Sequence, residues 1–146
     1  MTELTLGQAL RNAVETELAA ERYYRRLAAH TTDPDARLFL LGMADEEHEH
    51  AAELERFGVT VAVELPGRAD PNVHLGETAP GWAHHEGTTL DQALRIALEA
   101  ENNAALYYDA LAGTATGAVA DFFRRLVANE EDHAARLRAM IARAAE

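Results

Sequence analysis

The strongest constraint on this chain is that it repeats itself. Displaced by 84 residues, positions 5–28 fall on 89–112 with 14 of 24 identical, including Thr5/Thr89, Gln8/Gln92, Leu10/Leu94, Glu17/Glu101 and Tyr24/Tyr108. Displaced by 83, positions 39–57 fall on 122–140 and keep Phe39/Phe122, Glu47/Glu130, His50/His133 and Leu54/Leu137. The change of one in the displacement is a single residue lost from a loop. The fold must therefore be two copies of one supersecondary unit.

The period of the apolar residues identifies that unit as a helical hairpin. Leu10, Ala13, Glu17, Ala20, Tyr24 and Leu27 recur at spacings of three and four, as do Leu40, Met43, Glu47, His50, Leu54 and Phe57. Thr5-Leu6-Gly7-Gln8 and Thr89-Leu90-Asp91-Gln92 both read as capping boxes. Asp33 offers an N-cap and Pro34 a first helical residue, while Gly58 and Gly113 read as helix stops. These signals predict helices over about 6–30, 34–57, 89–112 and 117–144. The expected fold is all-α: a single domain over 1–146, a four-helix bundle of two duplicated hairpins joined by a long crossover, 58–88. That crossover holds three of the four prolines, five of the nine glycines, the only Trp and the pair His84-His85. A helix of about 24 residues is about 36 Å long, which about 11 extended residues can span. The crossover is long enough to traverse the bundle with residues to spare. Val59 to Val63 alternates weakly, as a short extended piece would.

The chemistry concentrates at Glu47-His48-Glu49-His50 and Glu130-Glu131-Asp132-His133, each of which contains Glu-x-x-His. Three residues along a helix is one turn on one face, so each pair aims a carboxylate and an imidazole at one point. Residues equidistant from a hairpin turn lie at one height. The midpoint of Glu17 and Glu47 is residue 32, and that of Glu101 and Glu130 falls between 115 and 116; both lie in predicted turns. Glu17, Glu47, His50, Glu101, Glu130 and His133 thus form a ligand set for two metal ions inside a helix bundle. Buried without metal, the carboxylates would repel one another and cost several kcal/mol each to desolvate. A carboxylate-rich set with one imidazole per metal suits iron or manganese. His48, Glu49, Glu131 and Asp132 read as the solvated face. Glu21 lies one turn after Glu17, either as a seventh ligand or paired with Arg25 at i+4, and the spacing favours the pair. Tyr24 and Tyr108 lie two turns from their Glu, as core aromatics or as groups that support the centre.

Composition narrows the function. A net charge of −12 argues against nucleic acid and anionic membranes and favours cations. With no cysteine, thiolate zinc sites, iron–sulfur clusters, disulfides and thiol catalysis are excluded. No basic, then apolar leader opens the chain, and no apolar run approaches membrane-spanning length, so a cytoplasmic protein is expected.

The chain resembles the ferritin-like superfamily, and within it the rubrerythrin-like di-iron proteins. The first half carries Glu17 and Tyr24, then Ala44-Asp45-Glu46-Glu47 leading to His50-Ala51-Ala52-Glu53-Leu54. The second carries Glu101 and Tyr108, then Asn129-Glu130-Glu131-Asp132-His133. The resemblance implies two iron ions, with manganese as the alternative, bridged by Glu47 and Glu130. Glu17 and Glu101 would be terminal, and His50 and His133 would take one metal each. It implies an oxidoreductase that oxidises Fe(II) with dioxygen or hydrogen peroxide; the absence of cysteine calls for an external electron donor, and a homodimer that buries part of residues 58–88 is expected. Three departures refine this. No cysteine is present for a rubredoxin domain. The extra Glu that rubrerythrins carry one turn after the third-helix ligand is replaced by Ala104 and Ala105, which speaks against a peroxidase. The Met with which bacterioferritins bind haem is replaced by His48, so no haem is expected. Iron storage and manganese catalase chemistry share the ligand pattern and stand as alternatives.

Overall fold

A computed structural model describes residues 5–67 and 89–144 as four α-helices in two compact units, each a hairpin. In the first, α1 (Leu6–His30) turns through residues 31–33 into α2 (Pro34–Thr60). In the second, α3 (Leu90–Thr114) turns through Ala115 and Thr116 into α4 (Gly117–Ala144). No strand occurs among the described residues.

The helices start where their caps require. The Thr5 and Thr89 hydroxyls each accept the backbone N–H three residues on, at 3.1 Å. At Thr89 the box is complete, because the Gln92 side chain accepts the Thr89 N–H at 2.9 Å. At α1 the Gln8 amide instead donates to Asn12 Oδ1. Asp33 caps α2 through the Asp35 N–H, with Pro34 in the first turn. Gly117 opens α4 with φ +60, a conformation that costs glycine nothing.

The predicted end of α2 is wrong in an informative way. The helix continues through Gly58 to Thr60, and the expected extended piece over 59–63 does not form. The stop comes at Ala62, which adopts φ +57. Its N–H donates to the Val59 carbonyl, and the Val63 N–H donates to the Gly58 carbonyl at 2.9 Å. That is a Schellman closure with alanine in the left-handed position that glycine usually fills. Gly58 is used for packing instead: a Cβ there would lie 2.6 Å from Leu65. The chain after the helix folds back on α1, where a Cβ on Gly7 would meet the Glu64 carbonyl oxygen at 2.5 Å. Arg11 Nε donates to the Pro66 carbonyl at 2.6 Å and pins this return. In α3, likewise, Gly113 lies inside a helix that ends at Thr114.

Each hairpin buries one apolar stripe. In the first the core includes Leu10, Ala13, Tyr24, Leu40, Met43 and Leu54; in the second, Leu94, Ala97, Tyr108, Phe123, Leu126 and Leu137. Leu27, expected on the first stripe, and its repeat partner Leu111 are only half-buried, and the next residues, Ala28 and Ala112, take the inner positions. The remainder of the expected crossover, 68–88, with Trp82, His84 and His85, lies outside the described residues.

Candidate metal centre

All six predicted ligands are buried. Glu17, Glu47 and Glu130 are fully so, Glu101 and His133 keep 1 % exposure, and His50 keeps 8 %. Their burial follows from helical phase, since each sits on the stripe that carries its hairpin's apolar core. In the first hairpin, Glu17, Glu47 and His50 each offer a ligand atom within 4.8 Å of the others. Glu101, Glu130 and His133 do the same in the second. His50 Nδ1 lies 3.9 Å from Glu17 Oε2, and His133 Nδ1 lies 3.5 Å from Glu101 Oε1. The equal-height argument is therefore met inside each hairpin. Two carboxylates and an imidazole, dehydrated and converging, form a donor set for a divalent cation of intermediate hardness, and the residues fit a metal.

The neighbouring residues sort into two groups. His48, Glu49, Glu131 and Asp132 are exposed, as their phase predicts. Tyr24 and Tyr108 are buried, packing tilted against Tyr23 and Tyr107 with ring centroids 5.9 and 5.7 Å apart. Tyr108 also stacks on Phe123 at 6.4 Å. Burial pushes the Tyr23 phenol up to about 12.

Glu21 makes the predicted i+4 pair with Arg25, at 2.8 Å, but the structure adds partners that spacing does not reveal. Glu21 Oε1 lies 3.0 Å from His48 Nδ1, and Arg25 also binds Asp45 at 3.0 Å. These contacts clasp α1 to α2. Burial alone would push the Glu21 carboxyl up; the hydrogen bonds from His48 and Arg25 outweigh it and hold the group below its ordinary value. The equivalent positions in the second hairpin are Ala105, Asp109, Ala128 and Glu131, so the clasp has no counterpart there. Three further buried polar residues, Asn12, Thr16 and Thr31, were not anticipated; the Thr16 hydroxyl donates to the Asn12 carbonyl at 2.8 Å and the Thr31 hydroxyl to the Leu27 carbonyl at 2.6 Å.

With this geometry in place, comparison with known proteins is decisive for the fold. The Rubrerythrin family model matches residues 92–145, which is the second hairpin. A solved structure of a hypothetical protein from Pyrococcus furiosus superposes with a TM-score of 0.73 at 23 % identity, over 94 % of this chain and 89 % of that one. The chain shares the fold of that protein, and its second hairpin is similar to the Rubrerythrin family. No curated protein matches it. The first hairpin carries the same Glu, Glu-x-x-His pattern by internal duplication, so the candidate ligand positions occur in both halves. The 146 residues contain no cysteine and hence no cysteine-liganded rubredoxin domain. No described helix is long and apolar enough to cross a membrane.

Proposed function

We propose that this ferritin-like chain is a di-iron carboxylate oxidoreductase that oxidises Fe(II) with dioxygen or hydrogen peroxide. The observation that carries the reading is the paired half-site: two buried carboxylates and one imidazole converging within 4.8 Å in each of two duplicated hairpins. The ligands in this reading are Glu17, Glu47 and His50 of the first hairpin and Glu101, Glu130 and His133 of the second. Iron bound there supplies one-electron redox chemistry and a binding position for the oxidant. The chain's own residues do the rest. The four carboxylates balance the charge of two divalent ions, and the imidazoles complete the ligand set. Leu10, Tyr24 and Met43 in the first hairpin and Leu94 and Tyr108 in the second belong to the buried apolar stripes that keep water away. Zinc fits less well, since its sites usually hold fewer carboxylates. Manganese fits the same donors.

Ala104 favours the oxidase form of this reading over a peroxidase. It is fully buried one turn after Glu101 and provides no additional carboxylate. Reducing equivalents have no cysteine-bound cluster within these residues to come from, so an external donor is part of the proposal.

The test is metal analysis of the purified protein, followed by stopped-flow oxidation of the anaerobic Fe(II) form. Two iron ions per chain and rapid reaction with dioxygen are expected. Peroxide reacting orders of magnitude faster than dioxygen would restore the peroxidase reading. Tight manganese with rapid peroxide disproportionation would point to catalase chemistry. Absence of stoichiometric metal would end the proposal.

A further inference from the structure

The arginines of this chain are almost all engaged. Of the thirteen, Arg68 lies outside the described residues. Among the other twelve, six pair with carboxylates. Arg37 and Arg138 donate to uncharged oxygens, Arg125 lies over the Phe122 ring at 5.2 Å, and Arg143 is engaged as well. Among the described residues, Arg22 and Arg26 are the two arginines whose side chains have no partner. Both are exposed and stand one turn apart on α1, with the exposed His30 a further turn on. Like charges at that spacing repel by about 0.2–0.5 kcal/mol, so the pair costs folding a little. The helix dipole does not account for it, because its pull is confined to the last turn, which holds His30 but neither arginine. With 25 acidic residues against 13 basic ones, carboxylates could have neutralised it. The matching positions of the second hairpin are Leu106, Ala110 and Thr114, so the repeat does not require a basic face here.

The stripe lies beside an aromatic pair that leads inward. Tyr23 follows Arg22, and Arg26 and His30 lie three and seven residues after Tyr23, on its flank of the helix. Tyr23 is 5 % exposed, and its ring centroid lies 5.9 Å from that of the buried Tyr24. Tyr24 shares the core stripe of α1 with Glu17, two turns away. We propose that Arg22, Arg26 and His30 form the docking face for the external electron donor, a small protein with an acidic surface around its redox centre. The inference rests on the reading of the chain as a di-iron oxidoreductase that needs such a donor. Each encounter moves one electron from the reduced donor to one Fe(III), leaving oxidised donor and Fe(II), and two encounters reset the pair. Charge complementarity selects the class of partner. At physiological salt, charges beyond about 8 Å are largely screened, so an acidic patch senses the stripe before the net charge of −12. From residue 22 to 30 the stripe runs about 12 Å, the scale of one patch on a small protein. Nucleic acid or an anionic membrane spreads its charge over a much wider surface, which the acidic remainder of the chain repels.

The probe is an acidic plant-type ferredoxin. Calorimetric titration into full-length protein, metal-free and iron-loaded, reads docking. Stopped-flow mixing of the reduced ferredoxin with the Fe(III)-loaded protein reads electron transfer. Wild type is expected to bind at low salt and to release the ferredoxin as salt rises. The double variant Arg22→Gln/Arg26→Gln should weaken binding and slow electron transfer by at least about tenfold, the scale of electrostatic steering. Arg22→Lys/Arg26→Lys keeps the charge and should retain most of both. Arg95→Gln/Arg124→Gln removes the same charge from exposed, paired positions of the second hairpin and should change neither. Circular dichroism of each variant checks that the helices are intact. Absence of binding by wild type overturns the docking face, and so does an undiminished affinity in Arg22→Gln/Arg26→Gln. An equal loss in Arg95→Gln/Arg124→Gln overturns it too, by assigning the effect to net charge, as does preferential binding of a DNA duplex by the same arginines. The two readings fail separately. Iron uptake and oxidation without ferredoxin docking at the stripe leave the oxidoreductase reading standing and remove the docking face. Stripe-dependent docking with no iron uptake by wild type removes the oxidoreductase reading, and the partner's role as electron donor with it.

Discussion

A buried ligand carboxylate should change the sign of its effect on stability when metal is added. The substitution Glu47→Gln tests this. Glu17 and Glu47 are both fully buried and offer oxygens within 4.8 Å of each other. Between two ionised carboxylates at that distance, an effective dielectric of about 20 gives a repulsion of about 3.5 kcal/mol. Replacing one with an amide removes that repulsion but buries an amide that needs partners, at a cost of about 1–3 kcal/mol. Metal-free Glu47→Gln should therefore be as stable as the wild type or slightly more so. With metal the balance reverses. An ion present at 100 times its dissociation constant adds about 2.7 kcal/mol per site, and a variant that loses one site loses that amount. For a chain of this size, that is about 9 °C in Tm. The assay is thermal denaturation of wild type, Glu47→Gln and its repeat partner Glu130→Gln, each with chelator and with excess Mn(II). A Tm change on substitution that is equal with and without metal would refute the argument, because it would make these carboxylates structural.

The remaining predictions concern the scaffold. Gly7→Ala should destabilise despite alanine's better helix propensity, by about 1–3 kcal/mol, because its Cβ meets the Glu64 carbonyl at 2.5 Å. Gly42→Ala, with nothing within 4 Å, should stabilise by about 0.5–1 kcal/mol; urea titration of both reads the opposite signs. Ala62→Gly should stabilise by about 0.5–1 kcal/mol, since it relieves the left-handed φ of +57 while retaining the Schellman bonds, and a lower denaturation midpoint would contradict it. Burial raises the Tyr23 phenol from 10.0 to about 12, so its contribution is complete below pH 10 and is lost as pH rises toward 12. Tyr23→Phe should flatten the alkaline fall in stability over that window, and an unchanged slope would show that other groups cause it.

Much of this was legible in the sequence because duplication removes ambiguity. One Glu-x-x-His on an acidic helix is weak evidence, but two at matching positions, each level with an inward Glu across a turn, restrict the phase of all four helices. The same phase that buries Leu40 and Leu54 must bury Glu47 and His50, and it does. What was not legible depends on contacts between residues far apart in sequence. Gly58 was read as a stop because glycine commonly ends helices, yet here it makes room for Leu65, and alanine takes the left-handed position four residues later. Gly7 looked like a neutral member of a capping box, but it is the place where the chain returns from residue 64. The link from Glu21 to Arg25 is local and could be read from i+4 spacing. The link from Glu21 to His48 requires the rotation of α2 about its own axis, which spacing within α1 does not contain.

The divergence between the two halves follows the energetic difference between buried and exposed charge. All six candidate ligands match across the repeat, whereas Glu21/Ala105, Arg25/Asp109 and His48/Glu131 differ just outside them. The Glu21–Arg25–Asp45–His48 clasp is largely open to water, with Arg25 42 %, His48 65 % and Asp45 74 % exposed. Exposed ion pairs of this kind contribute about 0–1 kcal/mol each. A buried carboxylate left without its cation costs several times more. Changes in the ligand layer are therefore strongly resisted in both copies, while the outer layer can change at little cost. The clasp is therefore a difference between the hairpins that folding tolerates in either form.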